Sequence, residues 1–100
     1  MTETIQSKNG VNIRLTDERW THITEEHAEM AGYRRDVLEA VSMPERILAG
    51  GDGELLALKK QTDGKALVVV YREVQSDGFI ITAFLTRRET SLNRRKQLWP

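Results

Sequence analysis

Two β-rich segments in the second half of this 100-residue chain most constrain its fold. Ala66–Glu73 and Phe79–Thr86 are rich in β-branched and aromatic residues, which favour strands. Thr62-Asp63-Gly64 precedes the first segment, and Ser76-Asp77-Gly78 separates the two. Connections this short join antiparallel neighbours. The pattern therefore predicts an antiparallel meander in this half of the chain, to which shorter strands at 46–49 and 54–60 add.

The first half of the chain predicts helices. Alternating apolar and polar residues over 11–15 indicate a short, half-buried strand. Thr16 is a favoured N-cap residue followed by two acidic residues, so a helix is expected from about 17 to 29. After Gly32 a second helix is expected, and it should stop before Pro44 because proline disfavours helix at the preceding residue.

These elements together predict an α+β domain covering residues 1–100. Two N-terminal helices should pack on one face of a small, mainly antiparallel sheet of four or five strands. Residues 1–9 are expected to be frayed, and residues 87–100 to form a basic C-terminal tail. Strict alternation in the last strand predicts its core face, composed of Phe79, Ile81, Ala83 and Leu85.

Composition excludes several classes of protein. The chain has no cysteine, which rules out a disulfide scaffold, a thiol nucleophile and a Cys-ligated metal site. No signal peptide or membrane span is recognisable, and a cytoplasmic location is expected. The net charge is zero, yet residues 51–100 hold nine Lys/Arg against six Asp/Glu. An anion-binding patch and a solvated tail are both compatible with the most basic group, which consists of Arg87, Arg88, Arg94, Arg95 and Lys96.

The predicted first helix carries both histidines of the chain. His22 and His27 are five residues apart and so do not share a helix face. His27 shares a stripe with Ile23 at the edge of the core, whereas His22 lies on the polar side. One of them is a candidate general acid or base, although both could be structural. His22 and Glu26 have the spacing for a shared metal, but two ligands alone give only a weak metal hypothesis.

Several phosphate-binding side chains occur on the last two predicted strands. Tyr71 and Arg72 end one strand, and Thr82, Thr86 and Arg87 belong to the next or follow it. Because the strands run in opposite directions, these groups cannot all meet at one end of the sheet. The alternative is that Tyr71 is a core residue and that the charges flank the strands to keep them soluble.

The helix over 19–29 resembles a "His-Ile-x-x-Arg-His-Pro-Glu" helix of small bacterial and phage domains in the barnase/EndoU/colicin/RelE-like nuclease grouping. Segments 53–57, 67–73 and 77–88 look like the same domain type. The resemblance extends from about Ile13 to Trp99. Glu26 stands where arginine is usual and Ala28 where proline is usual.

The resemblance implies a metal-independent, cofactor-free endoribonuclease of the toxin type, with RNA as substrate and an antitoxin or immunity protein as partner. A ribose 2′-hydroxyl would attack the adjacent phosphate, which requires a base, an acid and groups that stabilise the phosphorane. His27 and His22 match the motif histidines, and the catalytic set is completed by Tyr71, Arg72, Thr82 and Thr86. The alternative is a non-catalytic protein-interaction domain that keeps the fold, which Glu26 and the zero net charge favour.

Overall fold

A computed structural model describes every residue from Met1 to Pro100. Its elements are β1 (Thr2–Gln6), β2 (Asn12–Thr16), α1 (Asp17–Glu26), a 3₁₀ turn (Ala28–Met30), α2 (Arg34–Ser42), β3 (Arg46–Ala49), β4 (Leu55–Lys60), β5 (Ala66–Val74), β6 (Asp77–Thr86), α3 (Glu89–Leu92) and β7 (Gln97–Trp99). All seven strands form one sheet in the order β1-β2-β6-β5-β4-β3-β7. Neighbouring strands in this sheet are antiparallel except for β2 and β6, which run parallel.

The fold is α+β, but the expected sheet of four or five strands under two N-terminal helices is wrong. The sheet has seven strands and is mixed, and there are three helices. Residues 1–9 contain β1 instead of a frayed end, and the expected basic C-terminal tail, residues 87–100, contains α3 and β7. β1 was not recognisable because Ile5 is its only apolar residue; backbone pairing with β2 holds it in the sheet.

Parallel pairing of β2 with β6 joins the N-terminal hairpin to the meander. It covers only three residue pairs, with Ile13 opposite Gly78 and Arg14 opposite Phe79. A Cβ atom on Gly78 would stand 2.3 Å from the carbonyl oxygen of Arg72 and 2.7 Å from Cδ1 of Ile13. Gly78 therefore lies within β6 and allows the close packing of three strands, and the tight turn is Gln75–Ser76.

The main core lies between the helices and one face of the sheet. The hydroxyl of Thr16 accepts a hydrogen bond from Arg19 N at 3.0 Å and caps α1, as expected. The helix ends at Glu26, three residues before the expected end, and the 3₁₀ turn follows. Buried side chains of α1, the turn, α2 and four strands meet in this core: Ile13, Leu15, Ile23, Met30, Val37, Ala40, Val41, Ala57, Leu67, Val69, Tyr71, Ile80 and Ala83.

An irregularity in β6 changes which side chains of that strand enter the core. Val70 pairs with Thr82 and Tyr71 pairs with Ile80, so Ile81 is an extra residue in the ladder. Such a bulge shifts the alternation by one residue. Ile80 is therefore in the main core, while Phe79, expected on the core face, is 40% exposed.

The opposite face of the sheet carries a second, smaller apolar cluster. Leu92 of α3 covers Leu48, Leu58 and Val68, and Phe84 packs against the edge of this cluster. The helix α3 therefore covers only part of this face. The longest helix of the structure has ten residues, and no helix combines the length and apolarity needed to cross a bilayer.

Polar contacts fasten β1 to the helices. Arg34 Nε donates to Glu3 at 2.6 Å, and Arg34 Nη1 lies 2.8 Å from the Asp17 carboxylate. The Met1 ammonium group also bonds to Asp17. The hydrogen bonds from the ammonium group and from Arg34 hold the pKa of the Asp17 carboxyl below its usual value.

Candidate functional site

The candidate site lies where β6 loses its parallel neighbour. Beyond Phe79 no strand pairs with this edge, because β2 ends at Thr16 and the chain turns away into α1. The C-terminal end of α1 and the 3₁₀ turn pack beside β6 instead. This arrangement brings His27, the residue between those two helical segments, next to the strand.

The backbone of His27 is anchored on both sides. Its N–H donates to the Ile23 carbonyl at 2.7 Å, and its carbonyl accepts from Met30 N at 2.9 Å. Both partners are buried in the main core, with exposed fractions of 1% and 0%. The backbone of His27 is therefore held by hydrogen bonds to buried core residues, which suits a precisely placed site.

The imidazole of His27 lies between a carboxylate and an aromatic ring. Its Nδ1 is 3.6 Å from a carboxylate oxygen of Glu29, and its ring centroid is 5.9 Å from that of Phe84, with 34° between the ring planes. The side chain is 35% exposed, so solvent or a ligand reaches it. A half-exposed histidine beside a carboxylate is suited to accept and release a proton.

Thr82 and Thr86 lie on either side of Phe84 along β6. The Thr82 hydroxyl oxygen is buried without a hydrogen-bond partner. The Thr86 hydroxyl accepts from Arg88 N at 3.0 Å, so its own proton remains available to a ligand. Residues two apart in a strand are about 7 Å apart, which places the Thr86 hydroxyl within reach of a group bound at Phe84.

The basic residues of the expected tail divide into two separate groups. Arg87 and Arg88 follow β6, and Arg87 Nη1 donates to the Asp63 carbonyl at 3.3 Å. The second group, Arg94 to Lys96, leads into β7 at the far side of the sheet, where Arg95 Nη1 donates to the Ala49 carbonyl at 3.3 Å. Neither group takes part in a salt bridge. The charge of Arg95 nevertheless helps to lower the pKa of Glu54, whereas Arg87 and Arg88 have no carboxylate partner.

Tyr71 lies apart from the His27 site. Its side chain belongs to the main core, is completely buried, and has a hydroxyl group without a hydrogen-bond partner. Burial, with a smaller contribution from Glu73, raises the pKa of this hydroxyl. Tyr71 therefore acts in packing and lies out of reach of a ligand at the surface.

Arg72 lies at the other end of the sheet from Thr86. It pairs with Phe79, whereas Thr86 pairs with Ala66, which puts about 20 Å of strand between them. Arg72 Nη2 donates to the Asp52 carbonyl at 3.0 Å and thereby fixes the β3–β4 turn. In that turn, hydrogen bonds from backbone N–H groups, first that of Asp52, hold the pKa of Glu54 below its usual value, and Arg72 adds to the effect.

His22 is separated from His27 as the spacing predicts. Its side chain is 56% exposed, and Nδ1 lies 4.0 Å from Glu25 rather than close to Glu26. No group of three or more His, Cys, Asp and Glu side chains is arranged to hold a metal ion. The metal hypothesis based on His22 and Glu26 gains no support from this geometry.

Two members of the site were not predicted from the sequence. Glu29 is not among the predicted site residues, because residues two apart in a continuous helix do not face each other. The break at His27 and the 3₁₀ turn bring its carboxylate to the imidazole. Phe84 is not among the predicted site residues, and its ring lies next to His27 where no strand pairs with this edge of β6.

Searches of protein-family models, curated proteins and solved structures each return no match to this chain.

Proposed function

We propose that this domain binds single-stranded RNA at the His27 site and cleaves it without a metal ion. The observation that carries the proposal is the position of the His27 imidazole between the Glu29 carboxylate and the Phe84 ring. A half-buried aromatic ring is a stacking platform for an unpaired base, and a histidine beside it is in place for proton transfer. The resemblance of the sequence over residues 19–29 supports the same chemistry.

In the proposed reaction His27 is the general base. Neutral imidazole takes the proton of a ribose 2′-hydroxyl, and the 2′-oxygen forms a bond to the adjacent phosphorus. The bond from phosphorus to the 5′-oxygen breaks, and water supplies the proton to that leaving oxygen. The products are a 2′,3′-cyclic phosphate and a 5′-hydroxyl end. The Glu29 carboxylate lies 3.6 Å from Nδ1, beside the positive charge that the imidazole carries until the proton passes to solvent.

Charged and hydroxyl groups at the end of β6 complete the proposed site. The Thr86 hydroxyl donates to a phosphate oxygen, and Arg87 and Arg88 supply the positive charge that a phosphorane requires. Both guanidinium groups lack a carboxylate partner, so they are free to pair with phosphate groups of the RNA backbone. In this proposal the substrate is a cytoplasmic RNA and the protein partner is an antitoxin or immunity protein, as the resemblance implies.

End-group analysis of RNA tests the proposal. A mixed single-stranded RNA pool is incubated in EDTA with the wild type, His27→Ala and the matched control His22→Ala. The wild type and His22→Ala should leave cyclic-phosphate ends at equal rates. His27→Ala should cleave at least about 100-fold more slowly than the wild type, because general base catalysis contributes about 10²–10⁴-fold.

Two outcomes contradict the proposal. Equal cleavage by His27→Ala and the wild type would remove His27 from the reaction. Intact RNA with a folded wild type would overturn the catalytic function. RNA binding that weakens steeply with salt would then assign an RNA-binding role, and the absence of binding would favour the non-catalytic interaction domain.

A further inference from the structure

β1 is an edge strand with one side unpaired. Asp17 N donates to the Met1 carbonyl and Ser7 N donates to the Val11 carbonyl, which fixes the hydrogen-bonding phase of the β1–β2 ladder. Odd-numbered residues of β1 therefore bond to β2. The N–H and C=O groups of the even-numbered residues point away from the sheet; these residues are Thr2, Thr4 and Gln6.

A groove runs beside this edge. It has a volume of about 610 Å³ and lies between β1 and α2. Glu3, Thr4 and Ile5 form its strand side, while α2 supplies charged side chains and Leu38. An added strand at the edge of β1 would lie along this groove.

The two outer edges of the sheet differ in how they are protected. Native edges are blunted by short strands, lysine and proline. β7 has three residues, follows Lys96 and ends beside Pro100. β1 has five residues, and its three outward-facing residues are uncharged and exposed. β1 therefore has the features of an edge that pairs with another strand.

We propose that two copies of this chain form a dimer through antiparallel pairing of β1 with β1, about a two-fold axis at Thr4. Thr4 then faces Thr4 of the second copy, and Thr2 faces Gln6. All these residues present their backbone groups outward, so each pair closes two hydrogen bonds. Glu3 faces Ile5 rather than another carboxylate, and no like charges are opposed. The dimer is independent of the proposed RNA chemistry, since the His27 site lies on β6.

Charges on α2 favour a second copy as the occupant. Arg35 and Glu39 both line the groove and are one helical turn apart on α2. A two-fold axis at Thr4 sets the two α2 helices antiparallel, which brings Arg35 of each copy towards Glu39 of the other. Arg35 has no salt bridge within its own chain, and Glu39, whose carboxylate lies 3.6 Å from Lys59 Nζ, would gain Arg35 of the second copy as a further cation.

Cysteine crosslinking tests the axis directly, since the chain has no cysteine of its own. Facing residues of a hydrogen-bonded antiparallel pair have Cα atoms about 5.5 Å apart, within disulfide range. Thr4→Cys should therefore crosslink two copies on oxidation. The matched control Gln6→Cys should not, because the Cα atoms of its two copies would be about 14 Å apart. Equal crosslinking of both variants, or of neither, would overturn the proposed axis.

The mass in solution tests the dimer without any crosslink. Sedimentation of the wild type should give twice the 11.5 kDa chain mass. Thr4→Pro removes an outward N–H that β2 does not use and should give monomers, whereas Thr4→Val keeps the N–H and should remain dimeric. Arg35→Glu should weaken the dimer at least about tenfold, and Arg35→Glu with Glu39→Arg should restore it. A wild-type monomer up to high micromolar concentration would overturn the proposal and leave the groove to an extended peptide of another protein.

Discussion

The Nδ1 atom of His27 lies 3.6 Å from the Glu29 carboxylate, although the two residues are separated by only one position in the chain. The end of α1 at Glu26 makes this contact possible, because the chain tightens there into a 3₁₀ turn. Replacing Glu29 by glutamine keeps the size of the side chain and removes its charge. We expect Glu29→Gln to slow RNA cleavage by about tenfold, less than loss of the base itself.

The control for this prediction is the other His–Glu pair of the same region. The Glu25 carboxylate lies 4.0 Å from Nδ1 of the exposed His22. Glu25→Gln therefore removes one negative charge, as Glu29→Gln does, but leaves the His27 site unchanged. Its cleavage rate should equal that of the wild type in the same cyclic-phosphate assay. An identical loss in both variants would assign the effect to net charge instead of to the pair with His27.

Phe84→Leu should weaken RNA binding while keeping an apolar side chain against the second cluster. Stacking of a base on an aromatic ring is worth about 1–3 kcal/mol, so affinity should fall between about 5-fold and 150-fold. Fluorescence anisotropy with a labelled single-stranded RNA measures this. Phe79→Leu is the matched control, since Phe79 is more exposed, on the same strand, and away from His27. Equal losses in the two variants would contradict a specific platform at Phe84.

The two basic groups should differ in their contribution to RNA binding. Arg87 and Arg88 end the strand that carries Phe84, while Arg94 and Arg95 precede β7 at the far side of the sheet. We expect each of Arg87→Ala and Arg88→Ala to reduce the slope of log affinity against log salt by about 0.7, the value for one phosphate contact in a single strand. Arg94→Ala should leave the slope unchanged. A smaller slope in Arg94→Ala, with unchanged slopes in Arg87→Ala and Arg88→Ala, would indicate that RNA binds beside β7 instead.

Tyr71→Phe should stabilise the protein. The Tyr71 hydroxyl is buried without a hydrogen-bond partner, and such a group costs about 1–3 kcal/mol. Removing it while keeping the ring should raise the free energy of unfolding by about 1 kcal/mol, measured by urea denaturation. RNA cleavage should not change, because the residue lies in the core. A variant that unfolds at lower urea concentration would show that the hydroxyl has a partner.

The stability of the fold should depend on the charge of Asp17 in acid. Hydrogen bonds to the Met1 ammonium group and Arg34 lower the pKa of Asp17 in the folded state relative to the unfolded chain. The resulting stabilisation is complete above the usual aspartate pKa of about 3.9 and is lost as pH falls through the lower folded value. Wild-type melting temperature should therefore fall more steeply below about pH 4 than that of Asp17→Asn. Parallel curves for the two proteins would contradict this assignment.

Local patterns predicted those parts of the fold that short-range interactions decide. The Thr16 cap and the acidic first turn gave the correct start of α1, and the hairpins of β3 to β6 were confirmed. Long-range pairing was not predictable in the same way. β1 has almost no apolar pattern, and its place follows from partners on β2. The bulge at Ile81 breaks the alternation that assigned Phe79 to the core, and nothing in the composition of β6 marks it.

The site was predictable only in part, for the same reason. His27 is placed at the core edge by its spacing from Ile23, which the structure confirms with a 35% exposed side chain. Its neighbours depend on the tertiary fold. Glu29 reaches it through a helix break, and Phe84 through the absence of a strand beside β6. Tyr71 and Arg72 were predicted as site residues from their chemical type alone. Tyr71 lies in the main core, and Arg72 lies at the other end of the sheet from Thr86.

The parallel contact between β2 and β6 also sets the order in which the chain acquires structure. Asn12 and Asp77 are paired, so the ribosome must complete most of the chain before this contact forms. Until then, the apolar faces of α1 and α2 have no β5 or β6 to cover them. Closing so long a loop is entropically costly and slows folding. The N-terminal hairpin and both helices therefore remain without their core during synthesis and are the segments most exposed to proteases or to premature association.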